Sequence, residues 1–167
     1  MEMEMMNELI AGIEAMDPMT LATAIITATG IFAVMVAYGI LRYLMKGIGY
    51  SKMYRKAGDA GWKAFIPVYN TYNNYKIAWN GKFFFLSAVL HILLNALGNA
   101  TNIALQMAAA AAGIVLIVVD MKQNIKMAKL FGKGNGTGVA LFFFPGITSL
   151  ILGMGKAEFQ GEMIENN

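Results

Sequence analysis

The chain has 167 residues, 57% hydrophobic and 14% charged, with a net charge of +3 and a mean hydropathy of +0.54. So little polar surface cannot cover a water-soluble domain of this length, so the composition points to a membrane protein. The absence of cysteine excludes disulfides, iron–sulfur clusters and thiolate zinc sites.

Four apolar runs, Leu21 to Met45, Phe83 to about Gly98, Ile103 to Val119 and Val139 to Met154, divide the charges. Arg42, Lys46, Lys52, Arg55, Lys56, Lys63, Lys76 and Lys82 lie between the first two runs. Lys122, Lys126, Lys129 and Lys133 lie between the last two, and of thirteen basic residues only Lys156 lies elsewhere. Glu2, Glu4, Glu8, Glu14 and Asp17 precede the first run, and Glu158, Glu162 and Glu165 follow the last. With four apolar runs as helical spans, the positive-inside rule predicts both termini outside and both basic segments in the cytoplasm. About twenty apolar residues cross a bilayer, so the last three runs are short and favour local thinning or oligomerisation. The +3 averages two oppositely charged faces and does not argue for general affinity to nucleic acid.

The resulting division is an outer amphipathic helix (1–17), a four-span membrane domain (18–155) and an outer acidic tail (156–167). Within the first segment, Met5, Met6, Leu9, Ile10, Ile13 and Met16 recur at helical spacing among acidic positions. Soft Cu(I) ligation by these methionines has no His or Cys nearby to support it. Asp17 is placed to cap span one, and Pro18 suits its first position. No basic region and small-residue cleavage site precede Leu21, so this run is expected to persist as a span.

After the first span, Ser51 can cap a helix bearing Lys52, Arg55 and Lys56, Gly58 can end it, and Asp59 can open a segment that stops before Pro67. Trp62, Phe65, Tyr69, Tyr72, Tyr75 and Trp79 follow at intervals of three or four, interleaved with lysines. That pattern suits an interfacial segment at the headgroup level. Asn70, Asn73 and Asn74 can satisfy irregular backbone there.

The string from Ala57 to Tyr72, AGDAGWKAFIPVYNTY, followed by Lys76-Ile-Ala-Trp79, resembles the signature of an uncharacterised family of small multi-span bacterial and archaeal membrane proteins. Lys126 to Gly134, and Pro145 with Ile151 to Gly155, extend the resemblance over most of the chain from Lys52 onward. It implies a four-span architecture and no established activity. Some members carry a signal peptidase label, which requires a serine nucleophile and a neutral lysine base on the outer side. Lys156 is the sole lysine predicted outside, Ser51 and Ser87 are predicted inside, and Ser149 is about two turns from Lys156 with no outer domain to bind a peptide. The chain is therefore expected not to be an enzyme and to carry no cofactor or metal.

Polar residues inside the apolar runs are costly and face the bundle or water. His91, Asn95 and Asn99 form a stripe four residues apart. Asn102 and Gln106 open span three, and Thr20, Thr23 and Thr27 recur along span one. Thr23, Thr27, His91, Asn95, Asn99, Asn102 and Gln106 are thus candidates to line an outer vestibule, with His91 at mid-depth as a titratable group. Interhelical hydrogen bonding within one protomer is the structural alternative. Ala108 to Ala112 with Gly113 suits a close crossing or a subunit interface, and Pro145-Gly146 should interrupt span four. Lys122, Lys126, Lys129 and Lys133 predict a lysine row that, with Lys52, Arg55, Lys56 and Lys63, faces anionic lipid, each contributing about 1 kcal/mol. RNA, DNA or a partner protein is the other occupant such a face suits. The glycine-rich stretch from Gly132 to Gly138 lacks the ending of a phosphate loop and reads as a flexible turn.

Two functional classes follow: a homo-oligomeric channel-like or small-solute transport protein with a polar outer vestibule, or a non-enzymatic scaffold whose basic cytoplasmic face binds lipid, a partner or RNA.

Overall fold

The computed structural model describes residues 2–98 and 100–161, and in these every regular element is helical. The elements are α1 (Glu2–Glu14), α2 (Pro18–Lys56), a 3-10 turn (Gly61–Phe65), α3 (Pro67–Ala78), α4 (Lys82–Leu97), α5 (Ile103–Leu130), α6 (Asn135–Phe143) and α7 (Pro145–Met154). Asn99, Glu162 and Glu165 lie outside the described residues. Two helices, α2 and α5, are long and apolar enough to cross a membrane; α4 and α7 are shorter apolar helices.

Residues up to Leu41 form one unit and those from Arg42 onward a second. In the first, the expected amphipathic helix is α1, with Glu2 and Glu4 in its first turn, where they complement the helix dipole. Asp17 caps α2 as expected: its Oδ1 accepts from the backbone of Met19 and Thr20 at 3.0 Å each.

The second unit holds the core, centred on Tyr50, Met53, Tyr54, Met127, Phe131, Leu141 and Leu152. Here α2 continues without a break through Ser51 to Lys56, so Ser51 is not a cap but a buried mid-helix residue. Its small side chain leaves room for the close approach of Gly61, where a Cβ would come within 2.5 Å of Ser51 Oγ. Gly58 ends the helix with φ 79°, a conformation that suits glycine. Asn70 Nδ2 then donates to Ala64 O at 3.0 Å, tying the 3-10 turn to α3. In the alanine-rich part of α5, Ala109 is buried and Gly113 lies under Leu94 of α4, while Ala108, Ala110 and Ala111 are exposed.

The fourth apolar run is not one helix. Phe144 leaves helical geometry at φ −125° and ψ 57°, and Pro145 starts a new helix, so the run is two helices of nine and ten residues. At about 1.5 Å per residue neither is longer than half the roughly 30 Å thickness of a bilayer core. Contacts along them show a hairpin. Gly138 abuts Ile125 of α5, and Gly146 lies by Met45. A Cβ on Gly153 would meet Gly49 O at 2.4 Å and Lys52 Cβ at 2.9 Å. Thus α7 descends beside α2 in the same direction, and Lys56 Nζ donates to Leu152 O, Gly155 O and Ala157 O at 2.9, 2.8 and 2.8 Å. Gln160 N donates to Leu130 O at 2.6 Å, and Phe159 packs edge-on against Phe131.

The segment after α7 therefore lies at the same end of the unit as Lys56 and Leu130, not at the opposite end from the basic segments as expected. The physical reason is the glycine-lined track on α2, which lets α7 approach α2 closely. Gly132 turns the chain after α5 at φ 66°, but Gly138 is a tight helix contact and not part of a flexible turn.

Candidate functional site

Where α3, α4, α5 and the tip of the α6–α7 hairpin meet α2, a cavity of about 270 Å³ opens among Lys46, Tyr50, Asn74, Tyr75, Ser87, His91, Asp120, Gln123 and Asn124. Its floor is built by sequence spacing: Ser87 and His91 lie one turn apart on α4, while Asp120, Gln123 and Asn124 share a face of α5. Leu141, Phe142 and Pro145 of the hairpin close one side.

Asp120 is the anionic centre. The Tyr75 hydroxyl donates to Asp120 Oδ1, and Ser87 Oγ donates to the same atom at 3.4 Å. Burial first, and then the bond to that carboxylate, push the Tyr75 hydroxyl well above the ordinary phenol range, so it stays a donor. Asp120 Oδ2 has no hydrogen-bond partner among the described residues. Asn124 Nδ2 donates to Asp120 O at 2.8 Å, and Gln123 Nε2 to Asn74 O at 3.2 Å. His91 Nδ1 is 2.9 Å from Ser87 O; because a carbonyl only accepts, Nδ1 carries the proton of this bond.

Beneath the cavity the amide network continues. Tyr54 Oη lies 2.7 Å from Asn70 Oδ1 and 3.0 Å from Asn74 Oδ1, with one proton to share between them. Asp59 pairs with Lys63 at 2.6 Å. Desolvation is the largest influence and raises its pKa, but the Lys63 and Ala60 hydrogen bonds together outweigh it and hold the carboxyl below its ordinary value.

The sequence-derived candidates are distributed differently from that expectation. Thr23 and Thr27 donate to Met19 O and Thr23 O of their own helix. Asn95 Nδ2 donates to His91 O at 2.8 Å, Asn102 caps α5 through Ala104 N at 2.8 Å, and Gln106 donates to Ala100 O at 2.9 Å. These groups are exposed on the chain, their bonds local. Among the described residues of the stripe, His91 alone lines the cavity.

On the basic face, Lys52, Arg55, Lys122, Lys126, Lys129 and Lys133 are exposed, whereas Lys56 is spent on the carbonyls after α7 and Lys63 on Asp59. Lys133 lies beyond the end of α5, so the helical lysine row stops at Lys129. Lys126 Nζ sits 4.4 Å from the Trp79 ring centroid. Among the aromatics, Trp62 and Tyr69 are exposed and Tyr72 and Trp79 half-buried, but Tyr75 is buried at 2% exposure and points to Asp120, not to an interface.

Lys46, Tyr75, Ser87, Asp120, Gln123 and Asn124 did not stand out in the sequence as a site. One signal was available: Asp120 is an acidic residue at the end of an apolar run, followed by amides at i+3 and i+4.

No curated protein and no solved structure matches the chain. A family model does, over residues 62–162, a stretch that contains most of the aromatic signature, the cavity residues of α3, α4 and α5, and the hairpin. The chain belongs to that family, the family of unknown function DUF5684.

Proposed function

We propose that this protein is a homo-oligomeric, channel-like or small-solute transport protein of the membrane whose working site is the Asp120 cavity. The observation that supports this reading is a carboxylate in an apolar helical bundle that lines a cavity, with Tyr75 and Ser87 bonded to one of its oxygens. Asn95, His91 and Ser87, each four residues apart on α4, form a polar path toward it from the outer half.

In this reading α2, α4 and α5 cross the membrane and α6–α7 is a re-entrant hairpin, admissible because its broken backbone is packed against protein. The N-terminus is then outside and the tail after α7 inside. That placement also brings Lys156 to the side of the other basic residues, in keeping with the charge rule.

Reconstituted in planar bilayers, the wild-type protein should carry current. Asp120→Asn should lower it by about tenfold, the equivalent of one lost charge-assisted contact, and His91→Ala should alter its pH dependence. A folded wild-type protein that carries no current over the accessible pH and voltage range would overturn the reading.

The exposed lysines support a second reading, a scaffold docked to anionic lipid through its basic face. In that case flotation with phosphatidylglycerol vesicles of detergent-dispersed protein should fall when Lys122, Lys126 and Lys129 are changed to glutamine. It should also fall between low and high salt, and a salt-independent association would count against it.

A further inference from the structure

A second, largely apolar cavity of about 370 Å³ lies between α3 and α4, lined by Pro67, Val68, Phe84, Ala88 and Ile92 together with Thr71, Ser87 and His91. The last three residues also line the Asp120 cavity, so the two spaces share a wall. Val68 and Ile92 are 65% and 67% exposed, which leaves the apolar space open along the flank of the bundle. A polar chamber walled in common with a lateral apolar groove is complementary to an amphiphile, not to a wholly water-soluble molecule.

The charges of the chamber specify the head. Asp120 Oδ2 has no partner, and Lys46, on the same cavity, makes no ion pair with any described carboxylate. Neither charge has an ionic partner: Asp120 is met on one oxygen by the neutral donors Tyr75 and Ser87, and Lys46 Nζ lies 5.9 Å from the centroid of the Tyr50 ring. A head that carries its own ammonium and phosphate a few bonds apart meets both: the ammonium on Asp120 and the phosphate on Lys46. Four polar walls, Asn74, Tyr75, Ser87 and Gln123, are each more than nine-tenths buried, so the chamber is built into the fold and is not a surface depression. The groove extends along α4 from Phe84 toward Ile92, away from the end that carries the basic residues. This is the direction in which the acyl chain of a lipid in the leaflet at that end would run.

We propose that the cavity and groove together bind one phospholipid with a primary-amine, phosphoethanolamine head, drawn sideways from the leaflet on the basic side. The inference deepens the previous reading by naming the ligand class, and it rests on the Asp120 cavity as the working site.

The test is native mass spectrometry of the full-length protein in detergent with added phosphatidylethanolamine, and with phosphatidylglycerol, which lacks the amine, as comparator. One phosphatidylethanolamine per chain should be retained. Asp120→Asn should reduce retention by about tenfold, and Ile92→Trp, a change at an exposed groove position, should reduce it similarly by filling the groove. Phosphatidylglycerol retention should be unaffected by either variant.

Retention of phosphatidylethanolamine within twofold of wild type in a folded Ile92→Trp protein would overturn the amphiphile assignment, whatever the folding of Asp120→Asn. Equal loss of both lipids in Asp120→Asn would overturn the head assignment. Lipid retained by a protein that carries no current would leave this inference standing and remove the transport reading. Current without retained lipid would do the reverse.

Discussion

Gly49→Ala is expected to destabilise the second unit by about 3 kcal/mol, the upper part of the range for forcing atoms into a packed interface. The added Cβ would lie 2.2 Å from Ser149 Oγ and 2.6 Å from both Leu150 N and the Ser149 carbonyl carbon. The hydroxyl could rotate away, but the backbone of α7 cannot move without also losing the contact of Gly153 with Gly49 O. The matched control is Gly39→Ala, on the same helix with nothing within 4 Å of the added carbon. There the change should be neutral or stabilising by about 0.5–1 kcal/mol, because alanine is the better helix former. Thermal unfolding in one detergent should separate the two variants by several degrees. Equal midpoints would mean that α7 does not pack against α2 as described.

Lys56→Met should release the segment after α7. The ammonium donates to three carbonyls, those of Leu152, Gly155 and Ala157. These include the C-terminal end of α7, where a helix leaves carbonyls without internal partners. Methionine keeps much of the aliphatic stem and removes the donors, so the loss is mainly of hydrogen bonds, about 3 kcal/mol for charge-assisted bonds partly shielded from water. The change should appear as faster protease cleavage beyond Gly155 and lost amide protection at Gln160, whose N–H reaches Leu130 O. Lys56→Arg should retain part of the protection. Unchanged cleavage in Lys56→Met would show that the aromatic contact of Phe159 with Phe131 holds the segment by itself.

Much of the local structure was legible from residue order. Asp17 and Pro18 start α2, Gly58 stops it, Pro67 opens α3 and Pro145 opens α7, each because its backbone or side chain satisfies or forbids a helical hydrogen bond at that position. The stripe of α4 was legible in its spacing, but its partners were not. Asn95 and His91 bond to their own helix, while Ser87, one turn further along, meets Asp120 from 33 residues away. Tyr75 followed the same three-and-four rhythm as the exposed aromatics around it. Its different fate came from a carboxylate 45 residues later in the chain.

What the sequence by itself determined is the all-helical class, the segregation of charge along the chain and, of the four spans expected, two helices long and apolar enough to cross a membrane. These are local or additive properties: helical periodicity, hydropathy and capping act within a few residues. The tertiary structure alone decided that α6 and α7 fold back, that Lys56 and Lys63 serve the interior and that Asp120 faces a chamber. Those outcomes depend on glycine-sized approaches between segments far apart in sequence, at Gly49 with Gly153 and at Gly138 with Ile125, and on polar bonds that exist only once the helices are packed.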